Sequence, residues 1–172
     1  ARVSPSSTRL IGGPLTAQYA ESLVGAGRYH GAVIGEAETL IPEILERVDG
    51  SLTGVPGVVT EVDGHLHRTP PSRPPADLDG LPLPARHLLE PRSLYLRHPL
   101  IPLRHRATNI ASSRGCVFNC AFCYQYPFKK RFRGHSVARI LEEIDLLSTR
   151  YEVNFVRFID DDGEITYYAT YT

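Results

Sequence analysis

Cys116-Val117-Phe118-Asn119-Cys120-Ala121-Phe122-Cys123 is the stretch on which the interpretation of this fold depends, because it holds all three cysteines of the chain. Three cysteines spaced Cys-x-x-x-Cys-x-x-Cys cannot form a disulfide framework, since their number is odd and they are neighbours in sequence. Clusters of soft thiolates are typical ligands of iron–sulfur clusters and of zinc. Three thiolates around a cluster of four irons leave one iron without a protein ligand, and a substrate or cofactor can bind there.

A zinc site is the first alternative. Zinc usually takes four protein ligands in structural sites, often from two Cys-x-x-Cys or Cys/His pairs, and the sequence has no second cysteine pair. A nearby histidine such as His105 or His135 would then have to complete the site. The second alternative is that the cysteines are reduced and bind no metal.

The composition is that of an ordinary globular protein. Of the 172 residues, 42% are hydrophobic and 22% charged, with a formal net charge of zero. A neutral chain has no electrostatic footprint for nucleic acid, and no apolar run reaches the ~20 residues of a membrane span. Clustered thiolates are typical of a reducing compartment, which predicts a cytoplasmic protein. The sequence has no methionine, even at position 1, so we expect a fragment or a processed piece.

Residues 1–68 have the pattern of a small α/β domain. Leu10-Ile11 ends a short buried strand, and Thr16 is predicted to cap the helix that follows. Ala32-Val33-Ile34 has the apolar character of a second, parallel strand, and Thr39 is predicted to open a second helix. This order of strand, helix, strand and helix predicts half of a doubly wound α/β unit.

A hairpin is predicted after these elements. Val58–Val62 and His65–Arg68 are joined by Asp63-Gly64, and this dipeptide takes the positive φ angles that a two-residue turn requires. His65 and His67 share one face of the second strand. A metal site would need a third ligand nearby, so a solvated strand face is the simpler interpretation.

Residues 69–106 form a proline-rich strap, with nine of the 14 prolines of the chain. Proline at this density forbids regular helix and favours extended chain. Apolar residues from Leu78 to Leu96 argue against a disordered linker. Basic residues from Arg86 to Arg106 would suit a polyanion, but their irregular spacing favours solvated side chains.

Residues 107–172 have the pattern of a βαβ unit built around the cysteine stretch. A strand over 107–111 enters the cysteine loop, Ser136 is predicted to cap a helix over about 137–147, and a strand over 154–159 follows. Two strands joined in this way are expected to be parallel neighbours with a right-handed crossover.

The predicted helix of this unit is amphipathic. Its apolar face is formed by Ile140, Leu141, Ile144 and Leu147. Glu142 and Glu143 are placed on the opposite, solvated side.

Asp160-Asp161-Asp162 follow the second strand of the βαβ unit. Binding sites in parallel α/β folds gather at the carboxyl ends of strands, so these aspartates and the cysteine loop are expected to face the same mouth. Carboxylates there suit the cationic group of an amino acid. A run of three carboxylates is also typical of a solvated turn, and that alternative stays open.

The cysteine stretch, with its approach Ser113-Arg114-Gly115 and the aromatic Phe122 before the last cysteine, resembles the signature of the radical S-adenosylmethionine (SAM) enzymes. Further segments, taken in order, resemble the group with an N-terminal cobalamin-binding domain, which includes the anaerobic magnesium-protoporphyrin ester cyclase type. These segments are Gly12-Gly13-Pro14-Leu15, Gly35-Glu36-Ala37-Glu38, Leu52–Gly57, Asp77–Pro82 and Phe132–Ser136. Leu15 stands where that group has a histidine, and the group's Asp-x-His-x-x-Gly motif does not occur in the sequence.

The resemblance implies a cofactor site at the cysteines. The three ligands of a 4Fe-4S cluster would be Cys116, Cys120 and Cys123. The open iron would bind SAM, whose reductive cleavage gives a 5′-deoxyadenosyl radical that attacks an unknown small-molecule substrate. An electron donor such as flavodoxin or ferredoxin is implied as a partner. The residues implied to contact SAM are Phe122, through its backbone near the adenine, and Asp160 or Asp161, near the methionyl amino group.

The resemblance also implies an α/β domain organisation. Residues 1–68 would be the C-terminal part of a cobalamin-binding, Rossmann-like domain, with Gly12 and Gly13 near the cobalamin tail. Residues 69–106 would be the connecting strap, and 107–172 the truncated start of a (β/α) radical SAM barrel. Since that barrel has further strands, we expect the parent protein to be an enzyme and this chain alone not to be competent. A non-catalytic iron–sulfur or zinc-binding module is the alternative.

Overall fold

The computed structural model describes most of the chain as two compact units, Ala1–Pro75 and Ala76–Thr172. The described residues are 7–47, 50–89, 106–118, 120–122 and 131–161, with the backbone of 168–170. None of the helices in this described part combines the length and apolar character that a membrane crossing needs.

The first unit contains a four-stranded sheet in the order β1-β2-β3-β4. Its elements are β1 (Leu10–Ile11), α1 (Thr16–Gly25), β2 (Gly31–Val33), α2 (Ile41–Glu46), a 3₁₀ turn (Leu52–Gly54), β3 (Val58–Val62) and β4 (His65–Arg68). The strands β1 and β2 are parallel, as predicted, whereas β3 and β4 continue the sheet antiparallel. The α/β character and the hairpin are confirmed, but the sheet is mixed and not doubly wound.

The antiparallel direction of β3 follows from where the chain returns to the sheet. Val33, the last residue of β2, pairs with Val58, the first of β3. Just beyond, the Ile34 N–H donates to the Gly57 carbonyl at 2.7 Å. A parallel strand would have to start at the opposite end of β2, and the short helix α2 does not carry the chain there.

The helix starts differ from the two predicted caps. Leu15 occupies the N-cap position of α1 and Leu40 that of α2, and neither helix start has a side-chain cap. Thr16 lies inside the first turn and is buried, so its hydroxyl is not placed to accept from the helix terminus. Pro42 lies in the first turn of α2, where its missing N–H costs no hydrogen bond.

One buried cluster of the first unit lies where α2 and the 3₁₀ turn cover the sheet. Its buried members are Val33, Leu40, Ile44, Leu52, Val55 and Val58. These residues come from both helical segments and from β2 and β3. Their hydrophobic contacts therefore join elements that are apart in sequence.

The second unit is built on a parallel strand pair. Its elements are a 3₁₀ turn (Arg86–Leu88), β5 (Ala107–Ile110), β6 (Ser113–Arg114), β7 (Arg133–Gly134), α3 (Val137–Tyr151), β8 (Phe155–Phe158) and β9 (Tyr168–Thr170). The sheet order is β5-β8-β9, and β6 pairs with β7 in a separate ribbon. The parallel pairing of β5 with β8 through α3 confirms the predicted βαβ unit.

Helix α3 is capped as predicted but is longer. The Ser136 Oγ accepts from the Arg139 N–H at 3.1 Å, and the helix ends at Tyr151, before Glu152 in the left-handed conformation. The residues that bury the helix against β5 and β8 are Ile110, Ile144, Leu147, Val153 and Val156, with Ile140, Tyr151 and Phe158 at the margin. This stripe leaves Leu141 outside the core, 55% exposed, and the prediction for Leu141 is therefore wrong.

The described part of the strap in the second unit, residues 76–89, docks along one side of α3. The Asp79 Oδ1 accepts from the Ser136 N–H at 3.0 Å, and the Leu81 carbonyl accepts from the Arg139 Nη2 at 2.5 Å. Residues 69–72 lie instead in the first unit, where the Thr69 N–H donates to the Val58 carbonyl at 2.9 Å. The boundaries of the three predicted segments stay predictions.

Arg86 and Glu143 form a nearly buried ion pair between the strap and α3. Their side chains are 9% and 12% exposed, with Arg86 Nη1 2.5 Å from Glu143 Oε1. The Arg86 Nη2 also donates to the Asn109 carbonyl on β5 at 3.0 Å. The predictions of solvated side chains at Arg86 and Glu143 are therefore wrong, because each supplies the other's counter-charge away from water.

Candidate functional site

The cysteine loop begins where the parallel strands end. The register pairs Ala107 with Phe155 and Ile110 with Phe158, and the Ile159 N–H continues the ladder to the Ile110 carbonyl at 3.0 Å. The chain then leaves β5 toward the cysteines and leaves β8 toward the aspartates. Parallel strands present their carboxyl ends at one edge, so the sheet itself brings these two segments together.

Asp160 binds the backbone that leaves β5. Its Oδ1 accepts from the Ser112 N–H at 2.7 Å and from the Ser113 N–H at 2.8 Å. Its Oδ2 accepts from the Ser112 hydroxyl. Three donors of the chain itself therefore surround this carboxylate, and all three precede the first cysteine.

Asp161 continues these contacts one step closer to Cys116. Its Oδ2 accepts from the Gly115 N–H at 2.9 Å. Gly115 has a φ of +87°, a conformation that glycine adopts without the steric cost that a Cβ brings. The glycine before the first cysteine thus lets the backbone turn while its N–H reaches the carboxylate.

The two stems of the cysteine loop are joined at their base. In the ribbon β6–β7, Ser113 pairs with Gly134 and Arg114 with Arg133. The His135 N–H donates to the Ser112 carbonyl at 2.8 Å. The loop is therefore closed below the cysteines, next to the N-terminus of α3.

Two of the three predicted thiolate ligands lie in the described part of this loop. Cys116 is half-buried and Cys120 exposed, and the Phe118 N–H donates to the Cys116 Sγ at 3.4 Å. Cys123 lies outside the described residues, as does Asp162 of the aspartate run. An accessible thiol with a backbone N–H aimed at its sulfur suits a thiolate ligand, so the donor set fits a soft metal cluster.

The large apolar side chains in the described part of the loop are exposed to solvent. Phe122 is 92% exposed, and Val117 and Phe118 are exposed as well. Large apolar side chains gain stability only when they are covered, so these three side chains contribute little core packing. The described contacts that hold this part of the loop are the polar ones at its base.

Of the two histidines that the sequence offered for a zinc site, the structure describes His135. His135 Nδ1 lies 3.1 Å from Asp79 Oδ1, within the strap contact, and His105 lies outside the described residues. Among the residues that the structure describes, no three metal-ligating side chains form a group. His65 and His67 lie on β4, whose side chains are all exposed.

The glycines predicted to approach cobalamin lie in the first unit. Gly12 and Gly13 follow β1, and Gly35 follows β2, so all three stand at the same edge of a parallel pair. Gly13 and Gly35 have φ angles of +110° and +102°. A Cβ on Gly12 would lie 3.7 Å from the Val33 carbonyl, and a Cβ on Gly13 would meet no atom within 4 Å. The backbone at this edge is therefore open at Gly13 and loosely packed at Gly12.

Several residues of the site could not be found by motif. Ser112, Asp79 and Arg86 act across long stretches of chain, and Ser112 and Asp160 are 48 positions apart. The only local signal was the position of Asp160 directly after a strand that should pair with the strand before Ser112.

The strap contributes to a cavity of about 240 Å³ beside α3, lined among others by Leu81, Ile110 and His135.

Comparisons with known proteins find relatives in sequence and in fold. No protein-family model matches the chain. It is 33% identical over 132 residues to an uncharacterized methyltransferase of Pyrococcus horikoshii, covering 75% of this chain and 28% of that protein. It is 28% identical over 170 residues to the anaerobic magnesium-protoporphyrin IX monomethyl ester cyclase of Rubrivivax gelatinosus, covering 95% of this chain and 30% of that enzyme. The chain therefore spans less than a third of either relative.

Two solved structures share the fold. The radical SAM methyltransferase TsrM from Kitasatospora setae, with cobalamin and a 4Fe-4S cluster bound, matches 89% of this chain and 30% of its own at a TM-score of 0.59 and 19% identity. The cobalamin-dependent SAM radical enzyme OxsB, with aqua-cobalamin and SAM bound, matches 91% of this chain and 21% of its own at a TM-score of 0.66 and 17% identity. The chain therefore shares the fold of part of these two radical SAM enzymes, and together with the relatives in sequence this confirms its resemblance to that group of enzymes.

Proposed function

We propose that this chain carries the cluster-binding part of a radical SAM enzyme. Its three thiolates, Cys116, Cys120 and Cys123, would ligate a 4Fe-4S cluster whose fourth iron binds SAM. The observation that carries this proposal is the fixed base of the cysteine loop at the carboxyl end of β5, with Cys116 and Cys120 accessible above it.

A 4Fe-4S cluster held by these thiolates would supply, once reduced, the electron for the reductive cleavage of SAM that starts radical chemistry on the substrate. The chain itself is proposed to place the three thiolates and to orient the cofactor. The backbone at Phe122 is proposed to lie near the adenine, and Asp160 or Asp161 near the methionyl amino group. The proposed partners are a small-molecule substrate and an electron donor such as flavodoxin or ferredoxin.

The ligand assignment predicts that Cys120→Ala abolishes cluster assembly. With two thiolates left, the cluster loses a ligand that no other described group near the loop replaces. Iron and acid-labile sulfide are counted after anaerobic reconstitution, and the expected result is loss of both in the variant. A variant that retains the full iron and sulfide content contradicts the assignment.

Val117→Ala is the matched control, because Val117 lies in the same loop and is exposed. It should load iron and sulfide like the unmodified chain. Zinc is measured in the same samples. One zinc per chain, with no sulfide, would support the non-catalytic zinc module in place of the radical SAM function.

We further propose that the first unit contributes to a cobalamin site at Gly12 and Gly13. The support is the backbone edge formed by the loops after β1 and β2, together with the cobalamin bound in TsrM and OxsB. The absence of the family's Asp-x-His-x-x-Gly motif from this sequence means that no residue of that motif is proposed as a ligand of the cobalt.

This proposal predicts that Gly12→Leu blocks cobalamin without unfolding the unit. The new side chain would project from the open edge, since the nearest atom to its Cβ lies 3.7 Å away. Gly50→Leu is the control, because a Cβ there also lies 3.7 Å from a backbone carbonyl. Bound cobalamin is measured by absorbance after gel filtration. Equal retention by the two variants would contradict the proposed site.

A further inference from the structure

The end of β8 holds the segment that leads into the cysteines through four hydrogen bonds. Asp160 accepts from both amides of Ser112 and Ser113 and from the Ser112 hydroxyl, and Asp161 accepts from the Gly115 amide. We call these two aspartates and their four donors the carboxylate clamp. The clamp ends one residue before Cys116.

A carboxylate is well suited to this task. Hydrogen bonds to an ionised acceptor are shorter and roughly twice as strong as neutral ones. One carboxylate can accept several donors at once, so Asp160 fixes two successive amides and sets the direction of the chain there. A neutral side chain of the same shape offers one carbonyl oxygen and no charge.

The clamp acts beside side chains that the core does not cover. Val117, Phe118 and Phe122 in the described part of the loop are exposed, and the other stem is joined to the first through β7 and His135. The position of the Cys116 sulfur therefore depends on how firmly the segment from Ser112 to Gly115 is held.

From this geometry we propose that Asp160 and Asp161 are positioning residues, which place the Cys116 thiolate for cluster binding by holding the backbone before it. This inference rests on the proposed function. It gives Asp160 a role through the loop, separate from any contact between an aspartate and the methionyl amino group. Asp160 needs no ligand for this role, because all its partners belong to the chain.

The first test is cluster retention. The rate at which a chelator strips iron from the reconstituted chain is followed by cluster absorbance. Asp160→Ala should lose iron roughly tenfold faster or more, the range for residues that support metal ligands. Asp160→Asn should lie between Asp160→Ala and the unmodified chain, since one carbonyl oxygen still accepts the two amides. Asp145→Ala, an exposed aspartate on α3, is the control and should change nothing.

The second test needs no cluster. Amide hydrogen exchange in the metal-free chain should show loss of protection at Ser112 and Ser113 in Asp160→Ala and at Gly115 in Asp161→Ala, with α3 still protected in both variants. Unchanged protection at these three amides overturns the proposal. If the unmodified chain binds no cluster, the proposed function fails, and the exchange result still decides whether the clamp exists.

A third measurement separates positioning from direct contact with SAM. The electron paramagnetic resonance (EPR) spectrum of reduced Asp160→Asn is recorded with and without SAM. The positioning role predicts a spectrum altered in the absence of SAM and still responsive to it. A spectrum identical to that of the unmodified chain without SAM, but unresponsive to SAM, assigns Asp160 to the cofactor and overturns the positioning role.

Discussion

Glu142 and Glu143 are adjacent on α3 but have opposite surroundings. Glu142 is exposed and pairs with Arg139 at 2.9 Å, whereas Glu143 pairs with Arg86 away from solvent. Removing one partner of a buried pair leaves an uncompensated charge, while an exposed pair contributes little. The two glutamates therefore provide a matched comparison within one helix.

Glu143→Gln is predicted to destabilise the second unit by about 3 kcal/mol or more. Glu142→Gln should cost at most about 0.5 kcal/mol, as exposed pairs do. Urea unfolding is followed by the helical circular-dichroism signal. Replacing both Arg86 and Glu143 with apolar residues should recover much of the loss. Equal effects of the two single substitutions would contradict the burial of the pair.

Both glutamates were predicted to be solvated because the prediction rested on helical spacing. Helical periodicity identifies which positions share a face, and Ile144 and Leu147 were predicted correctly on that basis. It does not show what covers the other faces. Arg86 reaches Glu143 from 57 positions away, and only the folded strap reveals that a second side of α3 is covered.

The strap and α3 are the elements whose contact the sequence did not predict. The strap meets α3 at Ser136, Arg139 and Glu143, which lie on one side of the helix at spacings of three and four. The density of proline led to the prediction of an extended chain, which stays a prediction. The docking itself depends on polar contacts that no periodicity describes.

The Asp79 contact should make strap docking pH-dependent. Hydrogen bonds from Ser136, with a further one from His135, hold the pKa of Asp79 below its usual value. A lowered pKa in the folded state means that the contribution to stability is present above the unfolded value, about 3.9, and is lost as the pH falls through the folded value. Protonation then removes the negative charge of the Asp79 carboxylate, which the hydrogen bonds from Ser136 and His135 stabilise.

The expected result is that Asp79→Asn destabilises the chain at pH 5 and that this difference from the unmodified chain shrinks at pH 3. Urea unfolding at both pH values measures it, with Asp145→Asn as a control for a solvated aspartate. A difference that is constant between the two pH values would show that the charge of Asp79 does not stabilise the strap.

The βαβ unit shows how much of the candidate site was predictable. Ser136 as the cap, the parallel strands and the shared edge of cysteines and aspartates all follow from local pattern and the handedness of crossovers. The partners of Asp160 do not, because they depend on the register in which Ile110 meets Phe158. The mixed sheet of the first unit was missed for a similar reason, since chain direction after α2 is a tertiary property.

For the whole molecule, family and function rest on different evidence. The resemblance to radical SAM enzymes rests on the shared fold and on relatives in sequence that each extend well beyond this chain. The function proposed for the chain rests on the cysteine loop and on its fixed base. That function requires the loop to hold a cluster with one iron open to SAM, and this is the central claim.

The most direct test is anaerobic reconstitution with iron and sulfide, followed by EPR of the reduced chain with and without SAM. We predict a cluster signal that changes when SAM is added, because SAM binds the iron that has no cysteine ligand. A chain that assembles no cluster, or a cluster whose signal SAM leaves unchanged, would contradict the central claim.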